Sequence, residues 1–515
     1  MKAFRWPPLR LASFIIPALL LPAGLMAQKV TRIEIMNSDL TAYDIKIGKD
    51  ARKLLGNVRL KHEDVLMSCD SAYFYPGSGS VDAFSRVRIE QADTLTLTGD
   101  VVYYDGNRKL ARIRNNVKLV NNDIVLLSDS LNYNRETRIA DYLGWGILTQ
   151  ADSRLTSKRG RFYVDQEVFF FQDSVHISNP DYRIRTDSLR YDTKTEISYF
   201  NGPTEIYSDD RYIYCESGWY DTKNDISYVN KKAFLEEEGR TLRGDTLYYD
   251  AVEGYGYAKG QVEMMDTSQH VTMKGHYGLY YSENEYAMVT DSALMIQIDG
   301  SDTMYIHADT LLSTRHIAES GDTSRILRAY YKVKIFRPDM QVMCDSLAYP
   351  EADSTFHFYG EPVLWSDENQ LSADQISVMM KNRELYRMEM TGISLVVTHK
   401  EGERYDQMRG KEMRGHFVDN KLSRIDVTGN GQTIYYAEEE EEIIGANKTL
   451  CSSLTIYLKD NKVVRVSYLE KPDGTYYPLD KFPGEESRLS DFKWVAEWRP
   501  LAWQDVFWWK EKKEP

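Results

Sequence analysis

Acid and hydroxyl side chains stand side by side again and again in this chain: Asp70-Ser71, Asp129-Ser130, Asp187-Ser188 and Asp345-Ser346, with Glu216-Ser217 and Asp245-Thr246 as variants. A carboxylate beside a hydroxyl is raw material for hydrolysis, in which a base activates a nucleophilic oxygen. A hydrolase needs one such pair with a partner in reach, whereas here the pair recurs along the chain. The nine histidines, at 62, 176, 270, 276, 307, 316, 357, 399 and 416, form no HxH or HExxH spacing. Neither a metal centre nor a bound cofactor is therefore expected. No nucleophile-elbow, phosphate-loop or dinucleotide motif occurs. Cys69, Cys215 and Cys344 share one position next to the acid. They recur several repeats apart, beyond the roughly 7 Å that a disulfide allows between Cα atoms, and read as small buried thiols; Cys451 has no evident partner. The pair is a structural rule, and the chain reads as a non-enzyme.

That rule belongs to a repeat. The unit runs small residue, Asp, Ser or Thr, apolar, any, aromatic, as in Thr186-Asp187-Ser188-Leu189-Arg190-Tyr191 and Gly244-Asp245-Thr246-Leu247-Tyr248-Tyr249. Its anchors fall at 70, 100, 129, 160, 187, 216, 245, 276, 309, 345 and 374, near thirty residues apart. Four residues on, Phe74, Tyr104, Tyr133, Tyr191, Tyr220, Tyr249, Tyr280 and Tyr349 supply an aromatic. A second half-unit alternates with the first and carries a glycine before an apolar-polar-apolar run, as in Gly56-Asn57-Val58-Arg59-Leu60 and Gly260-Gln261-Val262-Glu263-Met264. Asp105-Gly106-Asn107 and Asp221-Thr222-Lys223-Asn224 are turn formers between them. Period-two alternation throughout predicts strands. One unit cannot bury its apolar face alone, but stacked units can. Strict alternation places the anchor acid on the same face as the apolar residues that follow it, an arrangement that a capped sheet corner would accommodate.

The flanking segments differ. Lys2, Arg5 and Arg10 precede an apolar stretch from Leu11 to Leu21, broken by Pro22-Ala23-Gly24, with Ala27 before Gln28. This reads as a cleaved signal peptide over 1–27. The formal charge of −14 excludes nucleic acid as a partner. The basic clusters Arg108-Lys109-Arg112-Arg114 and Arg183-Arg185-Arg190 read either as phosphate contacts or as solvated strand faces. Trp494, Trp498, Trp503, Trp508 and Trp509 crowd the last 22 residues, with Trp494 and Trp498 spaced as on one helical face. Such a segment could meet a membrane interface or fold back over the sheet. The expected layout is a signal peptide (1–27), two runs of repeats (28–275 and 276–435), a β extension (436–490) and a Trp-rich tail (491–515).

The alternation of Gly-Asn-Val-x-Leu with Asp-Ser-Leu-x-Tyr-Asp resembles the organic-solvent-tolerance (OstA) family, which comprises LptA and the periplasmic N-terminal domain of LptD. The resemblance runs over about residues 30–435. Gly429-Asn430-Gly431, Gly445-Ala446-Asn447-Lys448 and Ile456-Tyr457-Leu458-Lys459-Asp460-Asn461 resemble large OstA-like proteins of Bacteroidetes-type bacteria. The resemblance implies an all-β fold: an elongated, repeat-built β-jellyroll (a β-taco) of stacked antiparallel strands, as one segment or as two or three in series. It also implies a periplasmic lipopolysaccharide carrier that associates with the outer membrane and joins other Lpt components by end-on strand pairing. Lipid A acyl chains would ride in an apolar groove, for which Leu131, Tyr133, Leu189, Tyr191, Leu247, Tyr249, Leu347 and Tyr349 are the candidate lining. The alternatives are that these eight are ordinary core residues, and that the chain is a non-catalytic structural β-solenoid of the cell envelope.

Overall fold

The computed structural model describes residues 32–43, 45–91, 95–300, 302–381, 384–440, 442–459 and 462–510. The expected signal peptide lies outside them. Among the described residues the regular structure is thirty-two β-strands and five short 3-10 turns, with no α-helix. The fold is all-β, as the alternation requires. The described residues divide into two compact units, those up to 121 with 134–136, and 122–133 with those from 137 onward.

In the first unit the strands Arg52–His62, Val65–Tyr75, Ser80–Gln91, Leu95–Asp105 and Leu110–Asn121 pair antiparallel in succession. Two short strands, Glu34–Asn37 and Leu40–Tyr43, pair with the first of them. In the second unit the succession runs from Ile139–Gln150 to Met340–Pro350. Shorter strands then lead to Glu384–His399, Tyr405–Val418, Lys421–Glu439 and Glu442–Lys459. Lys462–Leu469 and Asp473–Pro478 both pair with the last of these.

The long strands bend at their middle. An eleven-residue strand drawn straight spans about 35 Å. Yet the guanidinium of Arg211, at the start of Arg211–Asp221, lies 3.8 Å from Asp225, four residues past that strand's far end. The bend is a bulge at which the register of the long strand pairs shifts, as at Phe84/Val87 and Asn230/Ala233, and alternate strands carry left-handed residues there. Ser85-Arg86, Asn115-Asn116, Asp173-Ser174 and Lys231-Lys232 take the position, and glycines take it at 144, 202 and 260, so it recurs every 29 or 30 residues. A bulge adds a residue and turns the strand.

The anchor acid faces that corner from the neighbouring strand. Arg86 donates to Asp70 at 2.8 Å, Asn116 to Asp100 at 2.7 Å and Lys232 to Glu216 at 2.6 Å, each sixteen residues apart. At Gly260 (φ 70°) a Cβ would stand 2.1 Å from an Asp245 carboxylate oxygen. A side chain there would meet both the left-handed backbone and the acid. The bulge also corrects the expected parity. Val65, Met67 and Cys69 are buried, then Ala72 and Phe74. The inward set thus switches at Asp70-Ser71, and the acid does not share the face of the aromatic that follows.

The anchor expected at 160 moves as well. The corner of Ser153–Tyr163 is at Lys158-Arg159, where both residues are exposed between buried Ser157 and Gly160. Gly160 points inward: a Cβ would stand 2.3 Å from the Tyr142 ring. Phe162 then takes the aromatic position.

Turns at the strand ends follow the Asp signals. The Asp221 carboxylate accepts from the Lys223 and Asn224 N–H groups, and Asp192 from those of Lys194 and Thr195. Successive turns are also joined, since the Thr193 N–H donates to Glu167 O and the Thr222 N–H to Glu196 O.

Candidate functional site

A cavity of about 910 Å³ opens inside the second unit, lined by residues between Ile213 and Asn420. Both halves of the bent strands contribute, for instance Leu242 and Tyr249 of Arg240–Asp250. Its wall is apolar and unusually rich in thioethers: Met264, Met265, Met273, Met295, Met304, Met340 and Met380 line it beside Leu235, Val271, Leu327 and Phe356. Methionine is unbranched and polarisable, so such a wall can adapt to guests of varied shape. A smaller cavity of about 150 Å³ is lined by Leu371, Met388, Met408, Ile425 and Leu458, and Asn420 borders both.

The cavity exists because inward bulk falls from repeat to repeat. Positions 169, 198, 227, 256 and 287 are equivalent, four residues before the first residue of the left-handed corner, and carry Phe, Ser, Ser, Gly and Ala. Their neighbours at 171, 200, 229, 258 and 289 carry Phe, Phe, Val, Ala and Val. Where both are large the interior is solid: Phe162 stacks on Phe169 at 4.0 Å and Phe169 on Phe171 at 5.3 Å, all fully buried. Ser227, Gly256 and Ala287 line the opening instead.

At the rim, strand ends meet across ion pairs. Arg325 lies 3.1 Å from Glu285 and 3.7 Å from Asp266, which Arg240 also approaches at 3.5 Å. Burial pushes the Asp266 carboxyl up, but hydrogen bonds from Ser268 and Gln269 with the Arg240 charge outweigh it and hold it below the usual carboxylate value. Burial pushes the Tyr249 and Tyr280 phenols up, so both stay protonated donors. The lining holds three arginines (Arg240, Arg325, Arg337) against six acids (Glu237, Glu238, Asp266, Glu285, Asp302, Glu351). The rim therefore does not attract anions, and a guest would be held by its apolar part.

The eight residues expected to line a groove divide. Leu247, Tyr249 and Tyr349 line the cavity. Leu131, Tyr133, Leu189 and Leu347 are buried, none more than 3% exposed, and Tyr191 is half-buried. The methionines and the small inward residues were not singled out from the sequence. The signal was present as the decline from Phe169 to Gly256 at a fixed spacing. No member of the basic clusters lines the cavity, and several are already engaged. Lys109 pairs with Glu63 at 3.2 Å, and Arg190 covers the Tyr199 ring at 4.7 Å. The cysteine thiols are buried and unbridged, with Cys215 pushed up to about 12 by burial.

The Trp-rich tail is not the helix that the Trp494–Trp498 spacing suggested. It runs extended over the outer face of the sheet, with 3-10 turns at Ala496–Trp498 and Trp503–Phe507. Glutamines hold its backbone as a neighbouring strand would. Gln407 donates to Ser487 O at 2.8 Å and accepts from the Leu489 N–H at 2.8 Å; Gln370 donates to Lys493 O at 2.7 Å and accepts from the Val495 N–H at 2.8 Å. Val495 is buried with Met343, Val363 and Trp365.

Among the described residues no group of His, Cys, Asp and Glu could hold a metal ion, and no helix is long and apolar enough to cross a membrane. In comparison with known proteins, residues 30–187 match the family model described as OstA-like protein. The cavity lies C-terminal to that span. No curated protein matches the chain.

Proposed function

With residues 30–187 OstA-like, we propose that the protein is a non-catalytic, periplasmic carrier of lipopolysaccharide, holding lipid A acyl chains in the methionine-lined cavity during outer-membrane assembly. The observation that carries this reading is the hollow itself, about 910 Å³ of largely apolar space inside the strand stack that follows the OstA-like span. It falls in the roughly 300–1,000 Å³ range of small-molecule sites. Each methylene transferred into it contributes about 0.8 kcal/mol. Ten methylenes outweigh the repulsion between an anionic headgroup and the acidic rim. The headgroup stays outside, facing water. Other transport components would join by strand pairing at the sheet ends, where the second unit offers Lys462–Leu469 and Asp473–Pro478.

The structural-scaffold reading draws support from a specific observation, the solid Phe162-Phe169-Phe171 stack. Photo-crosslinkers separate the two. Placed at Met273 or Tyr249 in cells, they should capture lipopolysaccharide, while the same group at Phe171 and at the outward Tyr199 should not. Absence of lipid adducts at both cavity positions would reject the carrier role.

A further inference from the structure

The end of the C-terminal strap presents apolar side chains to solvent on a rigid mount. Leu501 is 73% exposed, Trp508 54%, Phe507 41% and Trp503 39%. They are not on a loose end. Trp503 stacks on Tyr305 with ring centroids 5.4 Å apart, and Phe507 lies 4.7 Å from the His307 ring. The buried Asp505 carboxylate accepts from the Leu501 and Ala502 N–H groups at 2.9 and 3.0 Å, closing the turn on itself. Upstream, Arg499 donates to Gln341 at 2.7 Å, and the buried Lys334 ammonium donates to Trp498 O at 2.9 Å. A soluble face does not ordinarily collect exposed tryptophan, phenylalanine and leucine within eight residues.

The chemistry selects the partner. Tryptophan and phenylalanine beside lysine suit the headgroup level of a bilayer, where an apolar body meets a polar, charged layer. The Lys510 ammonium sits over the Trp498 and Trp509 rings at 5.2 and 5.4 Å. From Lys493 to Pro515 five basic residues (Lys493, Arg499, Lys510, Lys512, Lys513) face four acids (Glu497, Asp505, Glu511, Glu514), and Asp505 is buried. In a chain of net charge −14 this end is close to charge balance, so it is spared the repulsion from a lipid surface that the rest of the chain would meet.

Position gives the patch a use. Tyr305, under Trp503, follows Met304, which lines the cavity. Phe336, opposite Tyr305 in the register, precedes Arg337, which also lines it. Ile298, 54% exposed, belongs to the same rim. We infer that the strap end is an interfacial membrane anchor that holds the protein on a bilayer surface beside the cavity's rim. The anchoring itself is independent of what the cavity carries; its use in lipid transfer rests on the carrier reading.

The test is flotation of the full mature chain with vesicles of phosphatidylethanolamine and phosphatidylglycerol. The wild type should float. The double variant Leu501→Ser/Trp508→Ser leaves Trp503 and Phe507 on Tyr305 and His307, so it should melt as the wild type does, while its vesicle-bound fraction falls at least tenfold. Ser227→Phe/Ala287→Phe, which fills the cavity, should float normally even though it no longer takes up lipid. A wild type that stays with the soluble fraction, or a Leu501/Trp508 variant that floats undiminished, overturns the anchor. Loss of cavity binding with flotation intact overturns nothing in it, so its failure and failure of the carrier reading are distinguishable.

Discussion

Two stretches of the second unit are built by the same rules and end differently. From about Leu155 to Phe200 the bent strands close on solid aromatic packing, whereas from Ser227 to Met304 they close on a cavity. The corners, the turns and the register shifts recur in both. The inward side chains of alternate strands change most, from Phe169 and Phe171 to Gly256 and Ala258. The frame is thus set by backbone geometry at corners and turns, and the interior can be filled or emptied without altering it. In a jellyroll of this kind frame and capacity are separate variables, governed by different positions of one repeat.

The sharpest way to break the comparison is to hollow the solid stretch. Phe171→Ala removes a fully buried ring that packs on Phe169. A truncation of this kind costs about 3–5 kcal/mol because the cavity left behind collapses only in part. Thermal or denaturant unfolding should show that loss. The converse change fills the hollow stretch. Ser227→Phe/Ala287→Phe restores the bulk of position 169 at two equivalent sites. Lipid binding, measured by displacement of a fluorescent fatty acid, should fall at least tenfold, with the melting temperature unchanged or raised. Equal affinity would mean that the cavity is not where the lipid goes.

Corners should respond alike in both stretches, since neither filling nor emptying touches them. Gly260→Ala places a Cβ at φ 70° against Asp245. The left-handed strain alone costs about 1 kcal/mol, and urea unfolding should register it without a change in lipid affinity. A drop in affinity would tie capacity to the frame after all.

Much of this was legible in the sequence. The repeat length, the strands and the corner came through because they rest on short-range rules: period-two alternation, Asp at turns, glycine or asparagine where φ is positive. What escaped has a physical cause as well. Strict alternation carried the face of Asp70 through to Phe74, because a bulge shifts parity without changing residue types. Gly160 mimicked an anchor because a glycine beside a ring reads like a glycine at a bend. The expected cavity lining was the leucine and tyrosine that define the repeat. Those residues recur in both stretches, with Leu189 and Leu247 equally buried, so they cannot distinguish solid from hollow. The decisive positions are the unremarkable ones, Ser227 and Gly256. Tryptophans four apart suggested a helix, but the strap's backbone is taken up by Gln370 and Gln407 on distant strands, a pairing no local period encodes.

The smallest expected effect concerns the outer face of the hollow stretch. His307 lies on Asp302–Ile317, the strand that also gives Met304 to the cavity, and is buried beneath Phe507. Burial holds its pKa below the ordinary 6.5. The Ala293 carbonyl, which accepts from Nδ1 at 2.9 Å, and the Asp309 charge oppose that shift, while the Lys332 and Lys334 charges add to it. A histidine whose folded pKa is depressed binds its proton more readily when unfolded. Its contribution to stability is whole above pH 6.5 and is lost as the pH falls from there through the folded pKa. Melting temperature should therefore decline on acidification below 6.5, and His307→Gln should flatten that part of the profile. On the outer face of the solid stretch Phe170, 41% exposed, packs edge-on against Tyr163 of the neighbouring strand at 5.6 Å. The acid-sensitive step should accordingly be confined to release of the strap, seen as greater exposure of Trp503 and Trp508 to quencher before the strands themselves unfold.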